Sequence, residues 1–382
     1  MKRLIAACLV LVMSLALFTA CSGNDSSSAG DADTIKIAVN GAWTGDLAGN
    51  GEWKMDAVRM AADEINESGG ILGKQIEVVY EDNQSTQNGA INAMNKIVSD
   101  DSVLAVIGPH MSTMAIAVSD VVKNAGIIYM TVGTSVSLRD CDNEWMFPVR
   151  CMDDTVAKAA AEFAVEELGC TNIGIMYNND EFGTSGRDII ISYLEENGVD
   201  YVAEGHNTGD TDFTGQILKL EQAGTDCMII WTSNDSTTIV KQRYELGYDG
   251  AVITSSSFAS DWMLATLNLE ECEGVYSATD MSPDDPNPMM QELVEKTKTQ
   301  LDREPEAWHC CYYTAVYILK DAIERAGAVE REAVKNALYE TDGLESVLGE
   351  ISCNENGELV HECVITVVNS EKKLELVKKI QE

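Results

Sequence analysis

Two hydroxyl-bearing turns are the part of this sequence best suited to chemistry. Ser112 follows a short apolar run at 104–107 and a Gly-Pro break, and Ser135 follows the next apolar run, which ends at Met130. Hydroxyls beside free backbone N–H groups at a helix N-terminus can hold an anion. The alternative is that Ser112 caps its helix and Ser135 completes a turn. Both serines are therefore candidates for binding an anionic group such as a carboxylate.

No motif for catalysis or metal binding accompanies these turns. The sequence contains neither GxSxG nor HExxH, and GGILGK at 69–74 fails the phosphate-loop pattern because position 68 is serine. The four histidines stand singly, and His110, beside Ser112, is more simply a polar cleft or capping residue than an acid or base. The eleven cysteines form no CxxC pair. We expect no enzyme, no cofactor and no metal.

The elements that must position the two turns alternate between strand and helix. The alternation begins at residue 34, passes through both turns and restarts after Arg150. It implies parallel sheets with helices on both faces and ligands at the carboxyl ends of strands. Helical patterns at 288–301, 307–326 and 331–339 remain after the second unit, so the chain must cross back. The predicted fold class is α/β, with two doubly wound parallel-sheet lobes joined by a hinge around a cleft.

An export signal precedes this alternation. Lys2 and Arg3 stand before the apolar run 4–20, which ends directly before Cys21. Cys21 resembles the lipidated cysteine of a bacterial lipobox, although Phe18 departs from the usual aliphatic residue. We expect a signal peptide at 1–20, a flexible tether at 21–33, and a mature chain lipid-anchored to the outer face of the cell membrane. The net charge of −37 argues against nucleic acid and anionic lipid headgroups as partners.

Residues 34–380 resemble the extracytoplasmic receptors of ABC importers of the leucine/isoleucine/valine-binding type. The segments that carry the resemblance occur in order and read WTGDLAGNGEWKMDAVRMAADEINESGGILGKQIEVVYEDNQS, VIGPHMS, YNNDEFG, GVYSATDMSPDDPNP and LGEISCNENGEL. The resemblance implies a type I periplasmic-binding fold whose three interlobe crossings fall near 150–151, 278–280 and 351–353. The first lobe would then comprise 34–150 plus 280–351, and the second 151–279 plus 352–382.

The resemblance also implies a carboxylate site on the first lobe and an apolar wall on the second. Ser112, Thr134 and Ser135 match the positions that hold an amino acid's carboxylate, with Met111 in the same turn. Two further positions concern the walls of the cleft. Asn50 stands where relatives often place an aromatic residue, and Phe182 matches an aromatic of the second lobe.

One departure from the family concerns the ligand's ammonium group. Relatives present a glutamate to it, whereas the matching region here is TSSS at 254–257, most closely Ser256. A buried ammonium needs a counter-charge or several acceptors. The candidates that remain open are the acids Asp280, Asp235 and Asp261, each of which could equally be a cap or structural residue, and the neutral acceptors Ser233 and Asn234.

The sequence therefore predicts a monomeric substrate-binding lipoprotein of an ABC importer. It would capture a small amino acid, branched-chain or otherwise aliphatic, and deliver it to a permease driven by ATPase subunits. Two alternatives stay open. The ligand could be a small carboxylic acid or amide without an ammonium group, or the protein could be a sensory ligand-binding protein of the same fold.

Overall fold

The computed structural model describes residues 34–233 and 235–380, with Asn50 described by its backbone alone. The expected signal peptide, the tether and Cys21 lie outside the described residues, as do Asn234 and the side chain of Asn50. Among the helices that the structure describes, none combines the length and apolarity that crossing a bilayer requires.

Helices and strands alternate along most of the described chain. The α-helices of the described residues are α1 (Ala48–Glu67), α2 (Gln87–Val98), α3 (Ser112–Ala125), α4 (Asp153–Glu162), α5 (Glu181–Asn197), α6 (Thr214–Gln222), α7 (Ser236–Glu245), α8 (Asp261–Ala265), α9 (Leu269–Cys272), α10 (Pro288–Leu301), α11 (Ala307–Ala326) and α12 (Arg331–Tyr339). The strands are β1 (Thr34–Gly41), β2 (Gln75–Asp82), β3 (Val103–Ile107), β4 (Ile128–Thr131), β5 (Met146–Pro148), β6 (Asn172–Asn178), β7 (Asp200–His206), β8 (Cys227–Trp231), β9 (Ala251–Thr254), β10 (Tyr276–Thr279), β11 (Leu344–Ser346), β12 (Gly349–Cys353), β13 (Leu359–Val360), β14 (Cys363–Val368) and β15 (Leu374–Ile380). A 3-10 helix spans Val136–Cys141, and a π-helix, Phe163–Glu167, continues α4.

The first lobe is built on a five-stranded parallel sheet in the order β2-β1-β3-β4-β5. Successive residues of its strands face opposite sides, as the period of a strand requires. Ile37 and Val39 pack with α1 and α10–α12, whereas Ala38 packs with α2 and α3. Helices therefore cover both faces, and the predicted doubly wound architecture is confirmed here.

The second lobe is built on a seven-stranded sheet in the order β15-β14-β10-β9-β8-β6-β7. Strands β6 to β10 are parallel, whereas β14 runs antiparallel to β10 and β15 antiparallel to β14. Helices α4 and α5 cover one face and α6 and α7 the other. The lobe is therefore doubly wound as expected, but its sheet is mixed because the C-terminal strands fold back onto its edge.

Three chain crossings join the lobes. The first follows β5 and the second follows β10. We expected the third at 351–353, but β12 instead continues to Cys353 and pairs with β13 after a tight turn at 354–357. Leu359 packs in the core of the first lobe and Cys363 in that of the second. The third crossing thus lies at 361–362, because the Asn-Gly turn closes a hairpin instead of carrying the chain across.

Candidate functional site

A cavity of about 420 Å³ lies between the lobes, at the carboxyl ends of both sets of parallel strands. This volume falls in the usual range for small-molecule sites, about 300–1,000 Å³. The residues that line the cavity are Asp46, Leu47, Gly49, His110, Met111, Ser112, Val132, Thr134, Arg150, Phe182, Thr208, Gly209, Ser233, Asp235, Ser256, Ser257, Trp262 and Trp308. Seven of the candidate residues named from the sequence are thus brought together: Met111, Ser112, Thr134, Phe182, Ser233, Asp235 and Ser256.

Ser112 and Thr134 form the first-lobe wall of the cavity at the N-terminus of α3. The Ser112 hydroxyl oxygen accepts from the backbone N–H of Thr134 at 3.2 Å and of Ser135 at 3.3 Å. A Cβ at Gly133 would lie 3.1 Å from the Ser112 Cα, so a glycine lets the turn approach this closely. Since a serine hydroxyl that accepts twice still has one proton to donate, Ser112 can donate to a ligand. The partial positive charge of the helix N-terminus favours an anion at the same place.

Ser135 does not line the cavity, contrary to the expectation that its side chain would hold a carboxylate. It is fully buried and caps the 3-10 helix, where its Oγ accepts from the Ser137 N–H at 3.3 Å. Its contribution to this wall comes from its backbone N–H, which fixes the Ser112 hydroxyl. The turn-completing interpretation is therefore the one that the structure supports for this side chain.

Phe182 forms the apolar wall of the second lobe at the first turn of α5. Its ring stacks on the buried Trp231, with centroids 5.7 Å apart and an interplanar angle of 25°. The helix lies directly on this indole, since a Cβ at Gly186 would come within 2.0 Å of Trp231 Nε1. The packed indole thus holds Phe182 in place at the cavity.

Asp235 brings a carboxylate to the cavity between β8 and α7. Its Oδ2 accepts from Asn178 Nδ2 at 2.9 Å and lies 3.7 Å from His206 Nδ1. Asn178 also accepts from the backbone N–H of Ser233 at 2.7 Å, so one amide orients both cavity residues. Burial raises the pKa of Asp235, and the hydrogen bond from Asn178 opposes that effect.

Arg150 is the main cavity residue that the sequence did not reveal. Its Nη2 donates to Ser256 Oγ at 2.6 Å, and its Nε donates to Asp280 Oδ2 at 3.0 Å. Although burial opposes it, Asp280 holds the pKa of Arg150 above its ordinary value, so the guanidinium remains charged. Asp280, 1% exposed, lies behind this wall and not at the cavity. The expectation that Asp280 faces a ligand is therefore corrected, because its carboxylate is already paired with Arg150.

A buried lysine packs against Trp308. Lys54 is 2% exposed, its Nζ sits 4.9 Å from the centroid of the Trp308 ring, and no hydrogen-bond partner for this Nζ occurs among the described residues. Burial lowers the pKa of Lys54 and raises that of the neighbouring Glu306. Burial, together with Lys54 and Arg150, also holds the pKa of His110 well below 6.5, so this cavity imidazole is neutral.

The lobes touch each other on two sides of the cavity, so the described conformation is closed. At one rim, the Val136 N–H of the first lobe donates to Ser185 Oγ of the second at 3.3 Å. At the hinge side, Arg150 reaches Ser256. A ligand in the cavity would therefore contact both lobes at once.

Comparison with known proteins bears on what this cavity holds. The family model described as periplasmic binding protein matches residues 34–373. The Leu/Ile/Val-binding protein homolog 2 of Brucella abortus is 28% identical over 328 residues, which cover 85% of this chain and 87% of that protein. The leucine binding protein LivK of Thermotoga maritima superimposes with a TM-score of 0.84 at 24% identity, covering 91% of this chain and 99% of that one.

A further structural neighbour holds a different kind of ligand. A solute binding protein of an ABC transporter from Rhodopseudomonas palustris, solved with 3,4-dihydroxy benzoic acid, superimposes with a TM-score of 0.82 at 18% identity, covering 91% of this chain and 98% of that one. At such identities structural similarity shows the fold alone, and the two-lobed architecture expected from the sequence is confirmed.

Proposed function

Because the chain belongs to the periplasmic binding protein family, we propose that it is the substrate-binding component of an ABC importer that captures a small amino acid. The ligand is branched-chain or otherwise aliphatic, and a membrane permease receives it. The name of the Brucella abortus relative supports this ligand class. The chemistry of the cavity supports it independently.

The observation that carries the proposal is the pairing of an anion site with an apolar wall across one closed cavity. Ser112 and Thr134, at the N-terminus of α3, offer hydroxyl donors for a carboxylate. Phe182 and Trp262 of the second lobe, with Trp308 of the first, offer apolar surface for a hydrocarbon side chain. An aliphatic amino acid presents these two chemistries at opposite ends.

Asp235 supplies the counter-charge for the ligand's ammonium in this proposal. Among the acids considered from the sequence, it is the one that lines the cavity, whereas Asp280 is paired with Arg150 and Asp261 is not part of the lining. Because burial raises the pKa of Asp235, the charged form of this side chain is unfavourable when no cation lies beside it. An ammonium beside it would relieve that cost.

A second candidate follows from Arg150. The region where relatives carry a glutamate has Ser256 here, and its hydroxyl accepts from a guanidinium. This part of the cavity wall therefore carries a guanidinium, which Asp280 partly neutralises from behind, and it suits a carboxylic acid or amide without an ammonium group.

Calorimetry with a matched pair of ligands tests the two candidates. We expect the purified protein, freed of co-purified ligand by unfolding and refolding, to bind L-leucine or a similar aliphatic amino acid and to bind 4-methylpentanoate, its deaminated analogue, more weakly. The variant Asp235→Asn should remove most of this preference. Equal or tighter binding of the deaminated acid would favour the second candidate instead.

The carboxylate site is tested by Ser112→Ala, with Ser119→Ala as the matched control. Both serines lie on α3 and are 3% exposed, but Ser119 contacts Asn143 and is not part of the cavity lining. Removing a hydrogen bond to a charged group costs about 1.5–3 kcal/mol, or roughly one to two decades in affinity. We expect this loss for Ser112→Ala alone. Equal affinities in both variants would contradict the assignment.

We also propose that Cys21 carries the lipid that anchors the protein to the outer face of the cell membrane. Support comes from the sequence pattern around Cys21 and from the family's extracytoplasmic role. Two acyl chains hold a protein on a membrane far better than one. Wild-type protein should therefore remain with washed membranes, whereas Cys21→Ala should lose its acylation, and fully soluble wild-type protein would refute the anchor.

A further inference from the structure

The three interlobe crossings bring a thiol, a carboxylate and an imidazole together. Cys151 lies in the first crossing, Asp280 in the second and His361 in the third, and each is at most 5% exposed. Their possible ligand atoms all lie within 4.8 Å of one another. No two of these residues are close in sequence, so the hinge itself assembles the cluster.

The separations suit a small tetrahedral cation. His361 Nε2 lies 3.9 Å from Cys151 Sγ and 3.8 Å from Asp280 Oδ1. Around a zinc ion with bonds of about 2.0–2.3 Å, tetrahedral ligand atoms lie roughly 3.3–3.8 Å apart. These two separations lie within or just above that range, whereas the Cys151 thiol and the Asp280 carboxylate are separated by up to 4.8 Å, so those two side chains would move towards each other to share one ion.

Hydrogen bonds already orient the cluster as metal ligands are usually oriented. His361 Nδ1 lies 2.8 Å from the carbonyl oxygen of Glu362, which can only accept, so Nδ1 carries a proton and Nε2, 3.8 Å from Asp280 Oδ1, is the ring nitrogen left for a cation. Cys151 Sγ lies beside the ring, 3.5 Å from Nδ1 and 3.9 Å from Nε2. Arg150 binds Oδ2 of Asp280 and leaves Oδ1 facing His361. The Cys151 thiol donates to the His361 carbonyl at 3.1 Å, a proton that it would give up on binding a cation.

The cluster has a fourth potential ligand and a route to solvent. The thiol of Cys363, fully buried at the start of β14, neighbours that of Cys151 and, with burial, raises its pKa. His361 also lines a surface depression of about 540 Å³, together with Glu362 and Lys379. A cation can therefore reach His361 from this depression, which shares no lining residue with the ligand cavity.

We propose that Cys151, Asp280 and His361 form a binding site for a thiophilic divalent cation such as Zn²⁺, with the neighbouring Cys363 as a further potential ligand. Sulfur and imidazole donors select such cations over Mg²⁺ or Ca²⁺. Binding releases to solvent the thiol proton of Cys151 and the Nε2 proton that His361 carries when its ring is charged, and it adds no redox step. The ion would bind one residue from each of the three crossings. The Asp280–Arg150 ion pair would connect it to the wall of the ligand cavity.

Cobalt titration of the reduced mature protein tests this site, because Co²⁺ bound to thiolate absorbs visible light strongly and Zn²⁺ displaces it. We expect one Co²⁺ per chain with thiolate absorption, lost in Cys151→Ser and strongly weakened in His361→Gln. Cys353→Ser, which changes a half-buried thiol outside the cluster, should keep the absorption. Zn²⁺ should also raise the melting temperature of the wild type and of Cys353→Ser, but not of Cys151→Ser.

Two results would overturn the proposal. One is the absence of thiolate absorption in wild-type protein whose free thiols have been verified by mass spectrometry. The other is absorption that survives Cys151→Ser. Circular dichroism identifies any variant that fails to fold. If Cys151→Ser fails to fold, the loss of absorption in His361→Gln tests the site instead. Amino-acid binding is measured without metal, so failure of this site leaves the proposed function untouched.

Discussion

The buried His309 makes a measurable prediction about stability in acid. It lies in the first turn of α11, fully buried, with its ring centroid 4.3 Å from that of Trp53. Neither of its ring nitrogens has a hydrogen-bond partner among the described residues. Burial, helped by the charge of Arg303, lowers the pKa of His309 from 6.5 to about 3. The imidazole is therefore neutral in the native protein at every pH at which the protein is normally handled.

The sign of the effect follows from which state binds the proton. Between about pH 6.5 and pH 3 the unfolded chain binds a proton at this histidine and the native protein does not, so stability falls as the pH falls. One pKa unit corresponds to about 1.4 kcal/mol. At pH 4.5, about two units below the unfolded pKa, the loss should be roughly 3 kcal/mol relative to pH 7.5.

Urea unfolding of the wild type and His309→Gln at pH 7.5 and pH 4.5 measures this loss. The substitution changes packing equally at both pH values, so the packing cost cancels when each protein is compared with itself. Wild type should lose roughly 3 kcal/mol more than the variant on acidification. Equal losses in the two proteins would refute a neutral buried His309.

Asp100→Asn serves as a control with a different pH window. Its pKa is lowered to about 2, chiefly by the Ser102 hydroxyl and Lys36. The stability that this depressed pKa contributes is lost only below about pH 4. Its variant should therefore lose nearly the same free energy as wild type between pH 7.5 and pH 4.5.

Further predictions concern the hinge, the second-lobe core and closure. Arg150→Gln should lower the free energy of unfolding by about 3–5 kcal/mol in a urea titration, because it leaves Asp280 buried and unpaired; a loss under about 1 kcal/mol would contradict this. Gly186→Ala should cost about 1–3 kcal/mol by forcing the neighbouring indole aside, whereas Gly215→Ala, whose Cβ meets open space, should be neutral or stabilising. Saturating amino acid should reduce the radius of gyration in small-angle scattering, and Phe182→Ala should weaken this response more than it weakens folding. An unchanged profile with binding confirmed would show that the cleft does not close.

The fold could be predicted closely because its local signals are strong. The predicted helices 288–301, 307–326 and 331–339 coincide with α10, α11 and α12, which begin or end with clear signals such as Pro288 and Gly327. Weak periodicity explains what was missed. Helices α8 and α9 have five and four residues, too few to show a helical repeat. Helix α4 continues as a π-helix from Phe163, which the spacing of apolar residues does not reveal.

The site was harder to predict, because its remaining residues depend on contacts between distant segments. The hydroxyl turn at Ser112 could be found, since strand ends and turn chemistry are local. Whether Ser135 serves through its side chain or its backbone depends on where the 3-10 helix begins. Arg150 stood at a predicted lobe boundary, and the sequence did not reveal that it pairs with Asp280, 130 residues away, or that it reaches Ser256. Its position directly after a strand was the one available signal.

The two tryptophans of the cavity come from different lobes, Trp262 from α8 and Trp308 from α11. Of the six in the chain, Trp53 and Trp231 are almost fully buried in the lobe cores, where a ligand cannot reach them. Indole emission depends on the polarity and hydration around the ring. Ligand capture therefore has a built-in optical reporter, since filling the cavity expels water from two indoles on opposite lobes. If either tryptophan is replaced by phenylalanine, the other is the one cavity indole left, so the change in emission on each lobe can be measured separately as the ligand binds, without an attached dye.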